Sequence, residues 1–325
     1  MQNCPFPLFC LIDSLSVRED FVAHPDLVPR ETLRTLSQKS DAPGIRRLAQ
    51  HLGALILTGS GILYLADTLW VWPAMVVHGI LLVFLFCPLH EAAHGTAFRT
   101  RWLNDRTADL AGFLTLYPRL MYRVFHFAHH RHTQDPDRDP ELALKKPQTF
   151  GEYALWVSGW PYWSSKARTV VRYAVSGEAK APFIAKKMEK KLVRESRLLL
   201  LGYGVIATVS VLTDPMIALM LWIGPALLGQ PFLRAYLLTE HTGCSNSPNM
   251  LENVRTILAG PVIRWLAWNM PYHTEHHVFP SIPFHAVPEA HREISNQLIH
   301  ISSSHARYNA ELLQSFTPGD AKAHS

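Results

Sequence analysis

A chain of 325 residues with 48% hydrophobic and 18% charged side chains is too apolar for an ordinary soluble domain. The net charge of +5 would suit a nucleic-acid binder only if Lys and Arg covered one face. Instead they are excluded from two long windows, a membrane-topology signal. Cys4, Cys10, Cys87 and Cys244 form no CxxC pair and no even framework, so they read as reduced.

Residues 1–47 carry scattered charges and Pro5, Pro7, Pro25, Pro29 and Pro43. The first apolar patch is broken by proline and lacks a basic flank, so no cleaved leader is expected. An amphipathic helix is predicted over 30–38, in a cytoplasmic segment.

From residue 51 to 98 there is no Lys or Arg. Asp67-Thr68 divides this window into predicted spans at 48–66 and 69–89, each near the ~20 residues that cross a bilayer. Trp70 and Trp72 stand beside the break, where an aromatic belt belongs. His78, inside the second span, is expected to make an interhelical hydrogen bond. Pro88 then precedes HEAAH, whose His90 and His94 share a helix face at i, i+4.

Residues 109–118 are apolar but too short to span, and read as a re-entrant or interfacial helix. FHFAHHRH follows, with His126, His129 and His130 at i, i+3 and i+4 on one face. The run DPDRDP should end that helix near Thr133. Asp135, Asp137 and Asp139 either anchor histidine N–H groups or cap their own loop. Residues 143–197 are rich in Lys and Arg interleaved with YALWVSGWPYW, as a membrane-surface region or a dock for an acidic electron donor would be.

A second Lys/Arg-free window, 198–233, divides at Thr213-Asp214-Pro215 into spans at about 198–212 and 216–238. The first is short, so its helix should begin earlier, within 194–197. Gly224-Pro225 and Gly229-Gln230-Pro231 should kink the second, and Arg234 should snorkel towards the cytoplasm. Both hairpin turns lack Lys and Arg, so the positive-inside rule puts both termini and all histidine clusters on the cytoplasmic side. His241 follows the fourth span as His90 follows the second. An amphipathic stretch, 254–269, leads to HTEHH with His273, His276 and His277, and a polar tail occupies 292–325.

Eight clustered histidines are the main chemical signal, because imidazole nitrogen is a good ligand for iron, copper or zinc. HEAAH also matches the HExxH zinc-protease motif, with Glu91 as general base. A catalytic zinc takes three protein ligands and one open position; eight or nine histidines suit two metals better. A metal transporter would want ionisable groups within the spans, which apart from His78 lack them.

The order HEAAH, HFAHH, HTEHH, with two hydrophobic hairpins between, resembles the membrane-bound fatty acid desaturase superfamily. The resemblance covers about 48–291, including NMPYHTEHHVFPSIPFHAVPEAH at 269–291. It implies an all-α integral membrane protein, four transmembrane helices in two hairpins under a cytoplasmic helical cap, in an inner or plasma membrane. It implies two iron ions held by His90, His94, His126, His129, His130, His273, His276 and His277, with His241 as the ninth ligand. Glu91, Asp135 and Asp139 are then expected beside the ligands, and His132, His285 and His291 outside them. The implied reaction is O2-dependent oxidation of an unactivated C–H bond in a lipid or acyl substrate, most simply giving a C=C bond. Hydroxylation, terminal-alkene formation and small-molecule desaturation use the same ligands, and a zinc metalloprotease is the alternative from another class. No haem-binding HPGG segment is present, so a separate ferredoxin-, rubredoxin- or cytochrome-type donor with its reductase is implied.

Overall fold

The computed structural model describes residues 26–316. Among these the chain is helical apart from one two-residue parallel strand pair. A short α1 (Arg30–Leu36) leads into the first apolar window, which folds as α2 (Asp41–Tyr64), α3 (Val71–Val83) and α4 (Phe86–His94). Asp67-Thr68 lies in the turn between α2 and α3, as predicted. The helix breaks again before Pro88, which offers no N–H to the Phe84 carbonyl. The chain tightens there: Leu85 N–H reaches Leu82 O at 3.2 Å and Cys87 N–H reaches Phe84 O at 2.9 Å. The bypassed Leu81 carbonyl accepts instead from His51 Nε2 on α2, at 2.8 Å.

Next come α5 (Arg101–Leu114) and α6 (Arg119–His132). The interfacial helix expected at 109–118 starts eight residues earlier, at Arg101. Its charged residues face outwards, so hydropathy hides its first half, while Asn104, Thr107, Ala108 and Ala111 are buried. Asp105 and Asp109 of α5 hold Arg119, the first residue of α6, at 2.8 and 2.6 Å. The basic, aromatic region forms α7 (Phe150–Val157) and α8 (Trp160–Ser176).

The second apolar window follows as α9 (Lys186–Leu212), α10 (Pro215–Ala218), a π turn at Leu219–Ile223 and α11 (Gly224–His241). α9 begins earlier than 194, because Lys186–Arg197 continues the same helix into solvent. The π turn sits where Pro225 leaves the Leu221 carbonyl without its helical donor. His78 Nε2 donates to that carbonyl at 3.0 Å, and its Nδ1 accepts from the Thr58 hydroxyl at 2.8 Å. One imidazole thus ties α2, α3 and the π turn before α11 together, the interhelical role predicted for it.

The rest of the described chain comprises α12 (Met250–Asn253), β1 (Thr256–Ile257), α13 (Pro261–Leu266), α14 (His273–Val278), α15 (Val287–Ile294), β2 (Ile301–Ser302) and α16 (His305–Gln314). Thr256 pairs with Ile301, tying the last part of the described chain under the third histidine cluster.

Among the described residues three helical stretches are long and apolar enough to cross a membrane: Val71–His94, Lys186–Leu212 and Pro215–His241. α2, with 24 residues, is long enough, but Arg46, Arg47, Gln50 and His51 dilute its apolar character and it falls outside that set. Arg234 departs from expectation. It does not snorkel to a surface: it is 7% exposed and lies over the rings of Trp156 and Tyr162, because α7 and α8 cover that face of α11.

α3 and α11 cross at backbone contact. A Cβ on Gly79 would lie 1.9 Å from Pro225 O, and one on Gly229 would lie 2.2 Å from the Gly79 carbonyl. Small residues at such crossings let backbones meet in the absence of a hydrophobic drive between lipid-facing helices. Gly79→Ala or Gly229→Ala should therefore cost on the order of 1–3 kcal/mol and lower the melting temperature of the detergent-solubilised protein. Gly53 on α2, with nothing within 4 Å of its Cβ position, is the control. An equal loss for Gly53→Ala would contradict the crossing as the cause.

Candidate metal centre

Four helix segments deliver the histidines. α4 carries His90 and His94 one turn apart, α6 carries His126, His129 and His130, α14 carries His273, His276 and His277, and His241 ends α11. Each segment is fixed by contacts that the sequence gives little hint of. Glu195 of α9 accepts from the Leu120 and Met121 N–H groups, at 2.7 and 3.1 Å, and so seats the N-terminus of α6, where a negative charge is favoured. Arg255 donates to the Thr239 and Thr242 carbonyls at 2.8 and 2.7 Å, capping the end of α11 beside His241. Trp268 and Asn269 both take left-handed φ, turning the chain into α14, and Asn269 Nδ2 donates to Phe284 O at 2.8 Å.

The nine histidines singled out from the sequence come together in two groups. His90, His94, His126, His130 and His276 form one; His129, His241, His273 and His277 form the other. Within each group the candidate ligand atoms all lie within 4.8 Å of one another. The groups adjoin, since the His130 and His277 rings stack at 4.0 Å.

In the four-histidine group three of the four outer nitrogens are occupied, and that of buried His273 has no partner. His129 Nδ1 donates to Asp139 at 3.0 Å, His241 Nδ1 to the Asn253 carbonyl at 3.0 Å, and His277 Nδ1 to Thr133 Oγ1 at 3.3 Å. Those partners assign the tautomer of His129, His241 and His277, so Nε2 of these three rings carries a lone pair. The Nε2 atoms then converge: His129 to His241 at 3.2 Å, His241 to His273 at 3.1 Å, and His277 to His273 at 3.1 Å. Acceptors facing acceptors in a buried site are unfavourable without a cation between them. In the five-histidine group Nε2 contacts run from His94 to His126 (2.7 Å), His126 to His130 (3.0 Å) and His130 to His276 (3.1 Å). Both ring nitrogens of buried His90 lack a hydrogen-bond partner. Two nitrogens held about 2.1 Å from one ion are about 3.0 Å apart at right angles and about 3.4 Å apart at a tetrahedral angle. The observed spacing follows the right angle, and five donors exceed what a tetrahedral site takes. Both groups fit metal ions.

Electrostatics agree. Burial, then the neighbouring imidazoles, pushes His126, His130, His273 and His277 well below the usual histidine range, and burial takes His276 down to about 3. Burial also acts on His129, but Asp139 and Glu141 outweigh it and raise that ring.

The acidic candidates take different places. Asp139 holds His129 and also accepts from the Gln134 and Glu141 N–H groups. Asp135 accepts from Asp137 and Arg138 N–H and pairs with Arg138 Nε at 2.7 Å, organising the loop. Glu91 points away from both groups. Its carboxylate accepts from Phe284 N–H at 2.9 Å and pins the first histidine segment to the loop after the third. His291 contacts Glu275. Sequence reading missed Glu141, 3.2 Å from His129 Nδ1, and Glu240, 3.6 Å from His273 Nε2. Glu240 had one available signal, its place directly before His241; Glu141 looked like any loop acid.

A cavity of about 770 Å³ opens beside these groups. His90, His126, His129 and His273 line it, as do Tyr117 and Tyr122.

With that geometry in place, comparison with known proteins is direct. The fatty acid desaturase family model matches residues 33–307, and the chain belongs to that family. Similar curated proteins include the sn-1 oleoyl-lipid 12-desaturase of Anabaena variabilis, 26% identical over 135 residues, which are 41% of this chain and 39% of that protein. The sphingolipid delta(4)-desaturase of Drosophila melanogaster is 23% identical over 273 residues, 77% of either chain. The zeaxanthin 4-ketolase of Chlamydomonas reinhardtii is 40% identical over 76 residues, 22% of this chain and 16% of that one.

Histidines held below pKa 6.5 make the folded chain bind fewer protons than the unfolded chain. They leave stability untouched above about pH 6.5 and remove it as pH falls towards the folded values. Among these histidines only His129 opposes the trend. Melting temperature should fall as pH drops below about 6; a melting temperature that rises there on acidification would contradict this account.

Proposed function

We propose that this chain is an integral membrane oxidoreductase that uses dioxygen to oxidise an unactivated C–H bond in a lipid or acyl substrate. The reaction favoured is introduction of a C=C bond at two iron ions. The observation that carries this reading is the convergence of imidazole nitrogens in two adjoining groups within a chain of the desaturase family. Neutral nitrogen ligands support redox-active iron, and such a pair supplies the oxidising power that protein side chains lack. Dioxygen takes up four electrons, two from the substrate's C–H bonds and two from a separate protein donor, and leaves as two waters.

The chain's own residues then have defined tasks. His90, His94, His126, His130 and His276 hold one metal; His129, His241, His273 and His277 hold the other. Asp139, the Asn253 carbonyl and Thr133 keep protons on Nδ1 so that Nε2 faces inwards. Tyr117, Tyr122 and the other walls of the cavity exclude water and align a chain against the site. α2 completes a fourth span, because Ile56, Leu57 and Leu63 face outwards at 72%, 74% and 53% exposure while Ile62 is buried. The metal groups and both termini lie on the cytoplasmic side.

The ketolase relative keeps oxygen insertion open as a second outcome of the same chemistry. The zinc-protease reading is not favoured. His90 and His94 share their group with three further histidines, and Glu91 is committed to Phe284 N–H.

Elemental analysis of the purified protein should find about two irons per chain. His273→Ala and His276→Ala should each lower metal content and abolish oxidation, whereas Glu91→Gln, which still accepts from Phe284, should keep both. One zinc, no iron, and loss of function on Glu91→Gln would reverse the assignment. For topology, Asp67→Cys and Gln297→Cys, both at exposed positions, should label from opposite sides of a sealed vesicle; labelling from one side would remove the four-span arrangement.

A further inference from the structure

The same cavity that touches the histidines also contains two cations that no function so far described uses. Lys166 of α8 and Arg234 of α11 both line it. Among the described residues neither has a carboxylate within ion-pair distance, and Arg234 Nε is buried without a hydrogen-bond partner. Their neighbours are aromatic faces. Lys166 Nζ lies 3.8 Å from the Tyr117 ring centroid and 4.4 Å from that of Phe125. Arg234 Cζ lies 4.8 Å from both Trp156 and Tyr162.

Such contacts recover roughly 0.5–2 kcal/mol each. Taking a charge out of water costs several kcal/mol. Two cations side by side add repulsion, and burial together with the Arg234 charge pulls Lys166 down to about 7. The acids on the cavity wall offset this only in part, because neither pairs with Lys166 or Arg234. Glu141 is drawn to His129 at 3.2 Å and Lys146 at 3.6 Å, and Glu240 faces His273 at 3.6 Å. The arrangement is costly for a bare apolar tunnel and suited to a ligand that brings its own negative charge.

Building on the proposed function, we infer that Lys166 and Arg234 form an anion-recognition site for the head group of the substrate, a carboxylate or a phosphate, whose apolar chain runs along the aromatic wall towards the histidines. Arg234 and His241 are seven residues apart on α11, two turns and about 10 Å of helix axis. The anion is therefore held beside the oxidising site but outside it, and that separation selects which carbon of the chain reaches the metals. The planar guanidinium gives two parallel donors to a carboxylate or phosphate, and the ammonium adds a third.

The test is equilibrium binding to the metal-loaded, detergent-solubilised protein, with no turnover required. The probes are three unbranched chains of equal length bearing a carboxylate, a phosphate monoester or an alcohol. Wild type should bind at least one anionic probe about tenfold or more tightly than the alcohol, a difference of about 1.4 kcal/mol. Preference for the carboxylate alone points to a free acid, and for the phosphate alone to a phospholipid-type head. Arg234→Gln and Lys166→Met should each weaken anion binding towards the alcohol's level while alcohol affinity and metal content stay unchanged. Arg234→Lys should restore part of the preference. If Arg234→Gln does not fold, Lys166→Met and Arg234→Lys carry the comparison. Equal affinity of wild type for all three probes, or preference retained in the Lys166→Met, Arg234→Lys double variant at wild-type level, would overturn the inference. Anion preference in a protein without iron would leave this site standing and remove the oxidase reading; oxidation of a neutral chain with no anion preference would do the reverse.

Discussion

Nine imidazoles gathered into two buried groups, with neighbouring ring nitrogens in close contact, set the terms for everything around them. The arrangement is unfavourable until a cation sits in each group, so the surroundings must hold the rings against their mutual avoidance. That explains the number of hydrogen bonds on the outer nitrogens of the second group, from Asp139, Asn253 and Thr133. It also explains why the carrying helices are anchored by charges from elsewhere, Glu195 at the start of α6 and Arg255 at the end of α11. Glu91 completes the frame by joining the first histidine segment to the loop after the third.

The helices beneath solve a different problem with the same residue type. Proline interrupts two of the apolar helices, and each interruption strips a carbonyl of its partner in a region where water is scarce. His51 and His78 supply the missing donors, to Leu81 and Leu221. Neither is a metal ligand. Their exchangeable N–H groups let the helices break where the fold needs it: at Leu85, so that α4 turns its histidines towards α6, and at Leu219–Ile223, where the π turn lets α11 run against Gly79.

The cavity joins these two layers. Its floor is the surface of the histidine groups and its walls are α6, α8 and α11, so Arg234 is held by a helix that also carries a histidine, His241, and Lys166 by one that carries none. A substrate anchored there is measured out along α11 in whole helical turns. Reaction outcome depends on which carbon is presented to the site, and α8 lines the cavity without contributing a histidine to either group.

The sequence by itself determined the candidate ligands of the proposed metal centre. His90, His94, His126, His129, His130, His273, His276 and His277 were legible because helical spacing puts them on shared faces, and His241 because its position mirrors that of His90. The hairpin turns and the His78 bond were legible for a similar reason: exclusion of charge from lipid and the cost of an unpaired polar group are local rules. The division into five and four was not legible, because it depends on how α4, α6, α11 and α14 cross. Nor was the role of Arg234, read as a snorkelling side chain because nothing local shows that α7 and α8 cover that face of α11. Glu141, Glu240 and Lys166 were invisible for the same physical reason. A charged residue in a loop or on an amphipathic helix looks solvated until tertiary packing shows what lies opposite it.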